Sequence, residues 1–483
     1  MIAPYWHEET TIQEIHTAFR HGQLTSQKLV MYYLERIALY DQDGPSINAV
    51  LDVNPDAIAI AKGLDVQYAQ SGLTGPLHGI PVLLKDNIQT GDALSTSAGA
   101  YALKDWKADE DAVLVKKLRA AGAVILGKAN MTELAHRIGR EGMPNSFSSR
   151  GGLVLNPYGP HEFDVGGSSS GSAAAIASNF AAVSIGTETS GSLVNPATRN
   201  SLVTIKPTFG LVSREGVIPL SYSQDVAGPL TRTVEDAAIL LDVIAGRCEQ
   251  DHATHGIPTN VSNYNDHLLI DGLSRKRIGV YRGKVPDDLA IHVDKHHFEA
   301  AIDVLRKQEV EVIEDITIPD VEKEIPSLLR YEIKHSLNTF FKKAKPSTGY
   351  NNFDEFLATY FQYARLQPYG FDSFISGTDR KEELANSEWI MQKLLNQGLH
   401  DEYAIENVMK NHALDAIVFP SAAGFAVAAR AGLPSISVPA GYKANGQPFG
   451  ITFTGPMFQE RTLIELAFGY EQATQHRKKP NLA

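Results

Sequence analysis

The sequence GGSSSGSAAA at residues 166–175 is the most informative stretch of the chain, because it joins a glycine-rich turn to the start of an alanine-rich helix. A second glycine-rich turn, GTETSGS, follows at residues 186–192 after the apolar stretch Ala181–Ile185. Upstream, GIPVLLKDN at residues 79–87 contains an apolar run that ends in a lysine. None of the three segments contains a histidine. Together they indicate chemistry that depends on serine and lysine.

Lys85 is the candidate base of such a site. A serine hydroxyl is a weak nucleophile until a base takes its proton, and a lysine can do so only if burial keeps its amine neutral. The unbroken apolar run Ile80–Leu84 predicts a strand buried on both faces, so a lysine at its end is placed for burial. We expect Asp86 and Asn87 to hold the lysine head group by hydrogen bonds. The pattern favours a hydrolase with a Ser-Ser-Lys site.

Other interpretations of residues 166–175 are weaker. A flexible serine-rich loop would account for the composition of residues 166–175, but a second turn of the same type follows a predicted strand, which favours a functional site. Residues 167–171 also fit the G-x-S-x-G nucleophile elbow with Ser169 at its centre. That elbow follows a buried strand, whereas residues 158–165 are polar and contain a proline. Neither turn contains Gly-Lys-Ser/Thr, which argues against a P-loop.

The turn at residues 187–192 follows a predicted strand and can direct several backbone N–H groups at one point. An oxyanion hole for a tetrahedral intermediate needs that geometry. The sequence therefore predicts a second functional turn beside the first.

Composition excludes several classes of function. The chain has 483 residues, 44 basic and 56 acidic, a net charge of −12 and no long basic run, which argues against a nucleic-acid partner. No segment reaches the roughly 20 apolar residues needed to cross a bilayer, and the N-terminal residues lack the pattern of a signal peptide, so we expect a cytoplasmic protein without a membrane partner.

The single cysteine, Cys248, excludes an intramolecular disulfide. No histidine motif has metal-ligand spacing, and we predict neither a metal nor another cofactor.

Short apolar runs alternate with helical patterns from about Leu77 onwards, which predicts an α/β protein with a large mixed sheet covered by helices on both faces. We predict a single domain: an N-terminal helical segment (1–70), a core (71–318), a variable helical cap (319–397) and a C-terminal part of the core (398–483). Within the cap, Tyr331, Asn338, Phe340 and Phe341 are candidates for lining a cleft, with core packing an equal alternative for the aromatic residues.

Three local predictions concern helix ends and turns. Residues 109–121 are predicted to form a helix with acidic residues in its first turn. Asn130 is predicted to cap another helix, with Glu133 three residues on. Residues between Ile205 and Pro229 are expected to be rich in turns.

The three segments resemble the amidase signature family. The match rests on the Gly-Gly-Ser-Ser motif at 166–169, the second serine 24 positions after Ser168, and the lysine in Gly79–Asn87. It extends through residues 126–133, 205–213 and 225–229 and resumes at 431–441, so it covers most of the chain outside 319–397. The resemblance implies the amidase signature fold and hydrolysis of a carboxamide through a serine acyl-enzyme.

The resemblance also implies a role for each residue. Ser192 corresponds to the acylated nucleophile. Ser168, which follows a cis peptide bond in this family, corresponds to the proton relay. Lys85 corresponds to the neutral base. The backbone N–H groups of Thr189, Ser190, Gly191 and Ser192 correspond to the oxyanion hole. Ser169 corresponds to a supporting hydrogen-bond partner.

Departures from the family pattern bear on the substrate. Many members have Asp-Thr-Gly-Gly-Ser-Ile-Arg at the second turn, whereas this chain has ETSGSLV at residues 188–194, so Val194 replaces the arginine and Ser190 a glycine. The sequence is most similar to the peptide amidase branch, whose members deamidate C-terminally amidated peptides. A monomer or homodimer acting on a small-molecule or short-peptide amide is expected. The alternatives are the glutaminase (A) subunit of a tRNA-dependent amidotransferase and a non-catalytic binding protein on the same scaffold.

Overall fold

A computed structural model describes residues 8–137, 142–259, 261–283, 293–314, 316–318, 328–370 and 405–482. Its strands are β1 (Val50–Val53), β2 (Pro81–Lys85), β3 (Val124–Ala129), β4 (Phe147–Ser148), β5 (Gly152–Leu153), β6 (Val183–Glu188), β7 (Val203–Lys206), β8 (Val226–Thr231), β9 (Arg277–Val280), β10 (Glu311–Ile313), β11 (Ala416–Pro420), β12 (Ser435–Tyr442) and β13 (Pro448–Thr454). Its α-helices are α1 (Ile12–Arg20), α2 (Ser26–Arg36), α3 (Ala57–Ser71), α4 (Val113–Ala120), α5 (Ser170–Ala177), α6 (Val194–Arg199), α7 (Val234–Ile244), α8 (Lys295–Lys307), α9 (Leu329–Thr348), α10 (Phe353–Tyr360), α11 (Ile405–Asn411), α12 (Phe425–Arg430) and α13 (Glu460–Thr474).

Within the described residues, eleven strands form one sheet in the order β1-β3-β2-β6-β8-β7-β12-β13-β11-β9-β10. The pairs β2–β3, β2–β6, β9–β10 and β9–β11 are parallel, and the other neighbours are antiparallel. Every residue of β2, β3, β6, β7 and β8 is buried. Because successive side chains point to opposite faces of a sheet, both faces must be covered. The predicted mixed α/β fold is confirmed.

Strand β8 is missing from the sequence-based prediction, which assigned turns up to Pro229. Pro229 is paired with Ile185 of β6 on one side of the strand. On the other side, the pairing of β8 with β7 includes only Leu230 and Thr231. Proline cannot donate a ladder hydrogen bond and is rare in central strands. Pro229 fits here because it lies where the ladder to β7 stops.

The prediction of a helix over 109–121 with an acidic first turn is wrong at its N-terminus. The helix α4 begins at Val113, and its first turn contains no acidic residue. The Asp111 carboxylate accepts instead from the backbone N–H of Gly91 at 2.8 Å and from Arg119 at 2.9 Å. The N–H of Val113 pairs with the carbonyl of Glu215 at 3.0 Å, which keeps the preceding residues extended.

The predicted helix capped by Asn130 is also wrong. The Asn130 side chain accepts from Met131 N and Ser148 Oγ, both at 2.9 Å. The chain then forms only a short 3₁₀ turn over Glu133–His136, in which Leu134 and Ala135 have positive φ. By contrast, the helix α1 starts with a capping box, in which Glu14 N donates to Thr11 Oγ1 at 3.2 Å.

Residues 328–370 are the described part of the predicted cap, and the rest of 319–397 lies outside the described residues. The helices α9 and α10 pack aromatic side chains, among them Phe341 and Phe356, against Trp106, Met131 and neighbouring core residues. This segment is therefore a packed layer on the core. The division of the chain into one domain with four parts stays a prediction.

Within these same ranges, no helix has the length and apolar character needed to cross a membrane.

Candidate active site

The side chain of Lys85 is fully buried at the end of β2. The strand lies between β3 and β6, parallel to both, in the part of the sheet that is covered on both faces. Valine and leucine at 82–84 suit such a strand. The predicted burial of Lys85 is confirmed.

Two oxygen atoms contact the Lys85 amine. Its Nζ is hydrogen-bonded to Ser168 Oγ at 2.8 Å and donates to the carbonyl of Thr187 at 3.0 Å. Burial lowers the pKa of Lys85 from 10.5 to about 7, and the carboxylates of Asp225 and Glu188 oppose that shift. At neutral pH a large fraction of this amine is therefore unprotonated and able to accept a proton.

The expectation that Asp86 and Asn87 hold the lysine head group is wrong. Asp86 Oδ2 accepts from the backbone N–H groups of Ser97 and Gly99, at 3.2 and 3.0 Å. The Asn87 amide donates to Thr187 Oγ1 at 3.0 Å. Successive side chains at a strand end point to opposite faces, so Asp86 points away from Lys85 and supports the neighbouring loop.

Ser168 lies between the lysine and the second turn. The Gly167–Ser168 peptide bond is cis, and the carbonyl of Ser168 accepts from Thr132 N at 3.0 Å. A Cβ at Gly167 would lie 2.1 Å from the carbonyl oxygen of Asn145, so only glycine fits at this approach. The Ser168 hydroxyl is thereby held against Lys85.

Ser169 connects the two glycine-rich turns. Its backbone N–H donates to the carbonyl of Ser192 at 3.3 Å, and its Oγ donates to the carbonyl of Thr187 at 3.0 Å. The structure thus brings the segments that carry Ser168 and Ser192 into contact. Ser169 Oγ also accepts from Thr187 N at 3.3 Å, and its supporting role stays a prediction.

The turn at residues 189–192 is fixed at both ends. Glu188 Oε2 accepts from the N–H groups of Leu193 and Val194, at 2.8 and 3.2 Å, and so binds the N-terminus of α6. Thr189 Oγ1 donates to Asp225 Oδ1 at 2.6 Å. Gly191 has φ of 86°, which a residue with a side chain rarely adopts. Ser190 is half-buried in the same turn.

The solvent-exposed fraction increases from the candidate base, Lys85, through Ser168 to Ser192 in the second turn. Lys85 is 0% exposed, Ser168 2% and Ser192 9%. Of the three residues, Ser192 is therefore the most accessible to a molecule from solvent, whereas Lys85 has no exposed surface.

A cavity of about 830 Å³ is linked to the second turn through Asp225. It lies between α9 and the loop at 214–225, and Trp106, Phe340, Ser221 and Asp225 are among the residues that line it. Asp225 also holds Thr189, so it belongs to both the cavity and the turn. Lys85, Ser168 and Ser192 do not line this cavity.

The candidate cleft residues of the cap divide between cavity and core. Phe340 lines the cavity, whereas Phe341 is buried and stacks on Phe356 with 5.0 Å between ring centroids. Asn338 Oδ1 accepts from Phe353 N at 2.7 Å and so joins α9 to α10. Tyr331 is half-buried on α9.

The buried carboxylate of Glu133 joins the cap to the first turn. Glu133 Oε1 accepts from Ser149 Oγ at 2.6 Å and Tyr360 Oη at 2.5 Å, and Oε2 accepts from Gln367 Nε2 at 2.9 Å. Burial raises the pKa of Glu133 to about 7, and the hydrogen bonds partly offset that shift. The preceding residue, Thr132, donates its backbone N–H to the carbonyl of Ser168, so the cap and the first turn are bound to adjacent residues of one segment.

Among the described residues, no group of three or more His, Cys, Asp or Glu side chains is placed to hold a metal ion. Cys248 is buried, and its Sγ donates to Gln250 Oε1 at 3.2 Å.

Sequence reasoning missed three groups at this site. The Thr187 carbonyl accepts hydrogen bonds from Lys85 Nζ and Ser169 Oγ. The Asp225 carboxylate accepts one from Thr189 Oγ1, and the Glu188 carboxylate accepts hydrogen bonds from the backbone N–H groups at the start of α6. A backbone acceptor leaves no signal in a sequence. The order strand, Glu188, glycine turn, helix was available as a signal, because an acidic side chain before a helix matches its dipole.

Comparisons with known proteins agree on one family. The model of the family described as Amidase matches residues 28–431. A probable amidase of Arabidopsis thaliana is 39% identical, over 98% of this chain and 91% of that protein. The A-type subunit of the glutamyl-tRNA(Gln) amidotransferase of Alkalilimnicola ehrlichii is 32% identical, over 98% and 99%. The crystal structure of the native peptide amidase from Stenotrophomonas maltophilia has a TM-score of 0.92 at 38% identity, covering 99% of each chain.

Proposed function

Because the chain belongs to the amidase family and is an amidohydrolase, we propose that it removes the terminal amide of short C-terminally amidated peptides through an acyl-enzyme on Ser192. The observation that carries the mechanism is the buried amine of Lys85, 2.8 Å from Ser168 Oγ and with its pKa lowered to about 7. The observation that favours the substrate is the similarity to a peptide amidase over 99% of both chains.

In the proposed acylation step, Ser192 Oγ attacks the carboxamide carbon and a C–O bond forms. The proton of Ser192 passes to Ser168 Oγ, while the proton of Ser168 passes to the neutral Lys85 amine. When the C–N bond breaks, the same path returns one proton to the departing nitrogen, which leaves as ammonia. Each atom of the path keeps its normal valence because Ser168 gives one proton and takes another.

In the proposed deacylation step, water takes the place of ammonia and attacks the acyl carbon. Its proton travels to Lys85 by way of Ser168 and then returns to Ser192 Oγ as the ester bond breaks. The sum is one amide and one water converted to one carboxylic acid and one ammonia. Backbone N–H groups of residues 189–192 are proposed to stabilise the oxyanion in both steps.

The second turn supports a stand-alone enzyme. Val194 stands where many members of the family carry an arginine, and Ser190 replaces a glycine beside the nucleophile. An apolar valine offers no ion pair to a substrate carboxylate, such as that of free glutamine. A C-terminally amidated peptide has no free α-carboxylate and so needs no such ion pair, which favours it as the substrate.

A second candidate is the glutaminase component of a tRNA-dependent amidotransferase. The observation in its favour is the 32% identity to such an amidotransferase chain over nearly the whole length. A non-catalytic binding protein is disfavoured, because the chain retains Ser192, Ser168 and Lys85 together.

Ammonia release by the purified protein tests the proposal. The panel contains an N-acylated dipeptide amide, free glutamine, an aliphatic amide and an aryl amide, each run with wild type and Ser192→Ala. We expect serine-dependent release that is fastest from the dipeptide amide. Release from glutamine alone, or only after addition of amidotransferase partner subunits, would move the function to the second candidate.

Two further expectations stay predictions within this proposal: a cytoplasmic location, and a monomeric or homodimeric state.

A further inference from the structure

Glu332 lies in the first turn of α9 and is fully buried against the loop at 220–225. Its Oε2 accepts from Ser221 Oγ at 2.6 Å, from Ser223 N at 3.1 Å and from Ser223 Oγ at 2.9 Å. A carboxylate in the first turn of a helix is favoured by the helix dipole. One oxygen of one side chain therefore fixes two residues of a loop that is 109–111 positions away in sequence.

The same loop holds the second turn. Ser221 N donates to Asp225 Oδ2 at 2.9 Å, and Thr189 Oγ1 donates to Asp225 Oδ1 at 2.6 Å. A continuous series of hydrogen bonds thus runs from Glu332 through Ser221 and Asp225 to Thr189. Thr189 is the first residue of the turn whose N–H groups we assign to the oxyanion hole.

The other oxygen of Glu332, Oε1, is buried and has no hydrogen-bond partner among the described residues. A buried carboxylate oxygen without a partner is unfavourable, and an apolar side chain at this position would dock α9 on the core without that cost. Helix docking alone therefore does not account for a glutamate here. Buried polar groups that oppose stability are expected where function requires a fixed geometry.

We propose that Glu332 is a positioning residue for the amidase reaction, which sets the orientation of the 189–192 turn through Ser221 and Asp225. The inference rests on the proposed function, because it assigns that turn to the oxyanion. An oxyanion forms only after attack on the carbonyl, so a displaced turn weakens the transition state more than it weakens substrate binding. The cap segment would then contribute to catalysis as well as covering the core.

The test compares Glu332→Ala and Glu332→Gln with wild type, using kcat and KM for a dipeptide amide and the thermal midpoint. We expect Glu332→Ala to lower kcat about tenfold or more with KM changed less than about threefold. Glu332→Gln keeps an acceptor oxygen of the same reach and should restore kcat to within about threefold of wild type.

The matched control is Asp236→Asn. Asp236 is also a buried carboxylate, which accepts from Ile12 N at 2.9 Å, but it lies in α7, beyond the far end of β8, whereas Asp225 immediately precedes the near end of that strand. We expect this variant to lower the thermal midpoint and leave kcat within about twofold of wild type. The control separates a general loss of stability from a displaced turn.

An active wild type with Glu332→Ala at unchanged kcat overturns the inference and leaves the proposed function standing. A wild type that releases no ammonia from any amide overturns the proposed function, and the inference with it. If Glu332→Ala does not fold, Ser221→Ala is the test, because it removes the hydrogen bond from Ser221 Oγ to Glu332. A kcat that is lowered at least about threefold supports the inference, and a smaller change overturns it.

Discussion

The pH dependence of activity follows quantitatively from the surroundings of Lys85. Burial lowers its pKa from 10.5 to about 7. At pH 7 about half of this amine is neutral, against about 0.03% for a lysine with the ordinary pKa. The structure therefore supplies roughly a thousandfold more of the free base than an exposed lysine would.

We expect kcat/KM for a dipeptide amide to fall about tenfold per pH unit below pH 7 and to level off above it, because only the neutral amine accepts the proton of Ser168. Lys85→Met keeps the unbranched side chain but offers no base, and should lower kcat at least about 10⁴-fold. Lys62→Met, at an exposed lysine of α3, is the control and should match wild type. A profile that is flat from pH 5.5 to 8.5, or one that rises only above pH 9, would refute the assignment of Lys85 as the base.

The same pKa also makes stability depend on pH. The folded-state pKa of Lys85 lies below the unfolded value, so the unfolded chain binds more protons between about pH 7 and 10.5, and stability rises with pH in that window. From pH 7 to 9 this single residue should add about 2 kcal/mol to the free energy of unfolding. Urea unfolding of wild type and Lys85→Met at both pH values measures this contribution as a difference of differences. Equal pH slopes for the two proteins would contradict the buried, neutral state of the amine.

Three other variants test neighbouring parts of the site. Ser192→Ala should lower kcat at least about 10⁴-fold with an unchanged thermal midpoint, and turnover near the wild-type rate would remove Ser192 from the role of nucleophile. Asp225→Asn removes a negative charge that raises the pKa of Lys85, so the acid limb of the pH–rate profile should move to lower pH; a move to higher pH would argue against this coupling. Tyr360→Phe removes one donor from the buried Glu133, and should cost about 1–3 kcal/mol in urea unfolding; an unchanged free energy of unfolding would mean that the cap is not anchored there.

The parts of the molecule that sequence predicts well have local signals. The strand β2 follows from an unbroken apolar run, and the burial of Lys85 follows from its place at the end of that run. The two glycine-rich turns are visible because close backbone approach requires glycine, as at Gly167. The proximity of Lys85 to the second turn is a consequence of sheet order, since β2 and β6 are adjacent parallel strands and their carboxyl ends meet.

The parts that sequence predicts poorly depend on partners far along the chain. Asp225 and Glu332 act on residues 36 and 111 positions away, respectively, and no periodicity or motif marks such pairs. Sequence proximity suggests that Asp86 contacts the lysine, although the alternation of side chains at a strand end directs it elsewhere. Strand β8 is obscured by Pro229, whose missing N–H is harmless only because of where the ladder to β7 stops.

The strand order has a consequence for how the chain is made. The strands β11, β12 and β13 come from residues 416–454, yet they lie between β7 and β9, whose residues emerge from the ribosome much earlier. Until residues 416–454 are synthesised, β7 and β9 each keep an open edge, and open edges are templates for aggregation. A transcript cut short before codon 416 would thus yield a chain with both parts of the sheet started and nothing to join them. During synthesis the edge of β7 stays open from residue 206 to residue 416 and that of β9 from residue 280 to residue 416, and in this interval both can pair with other chains.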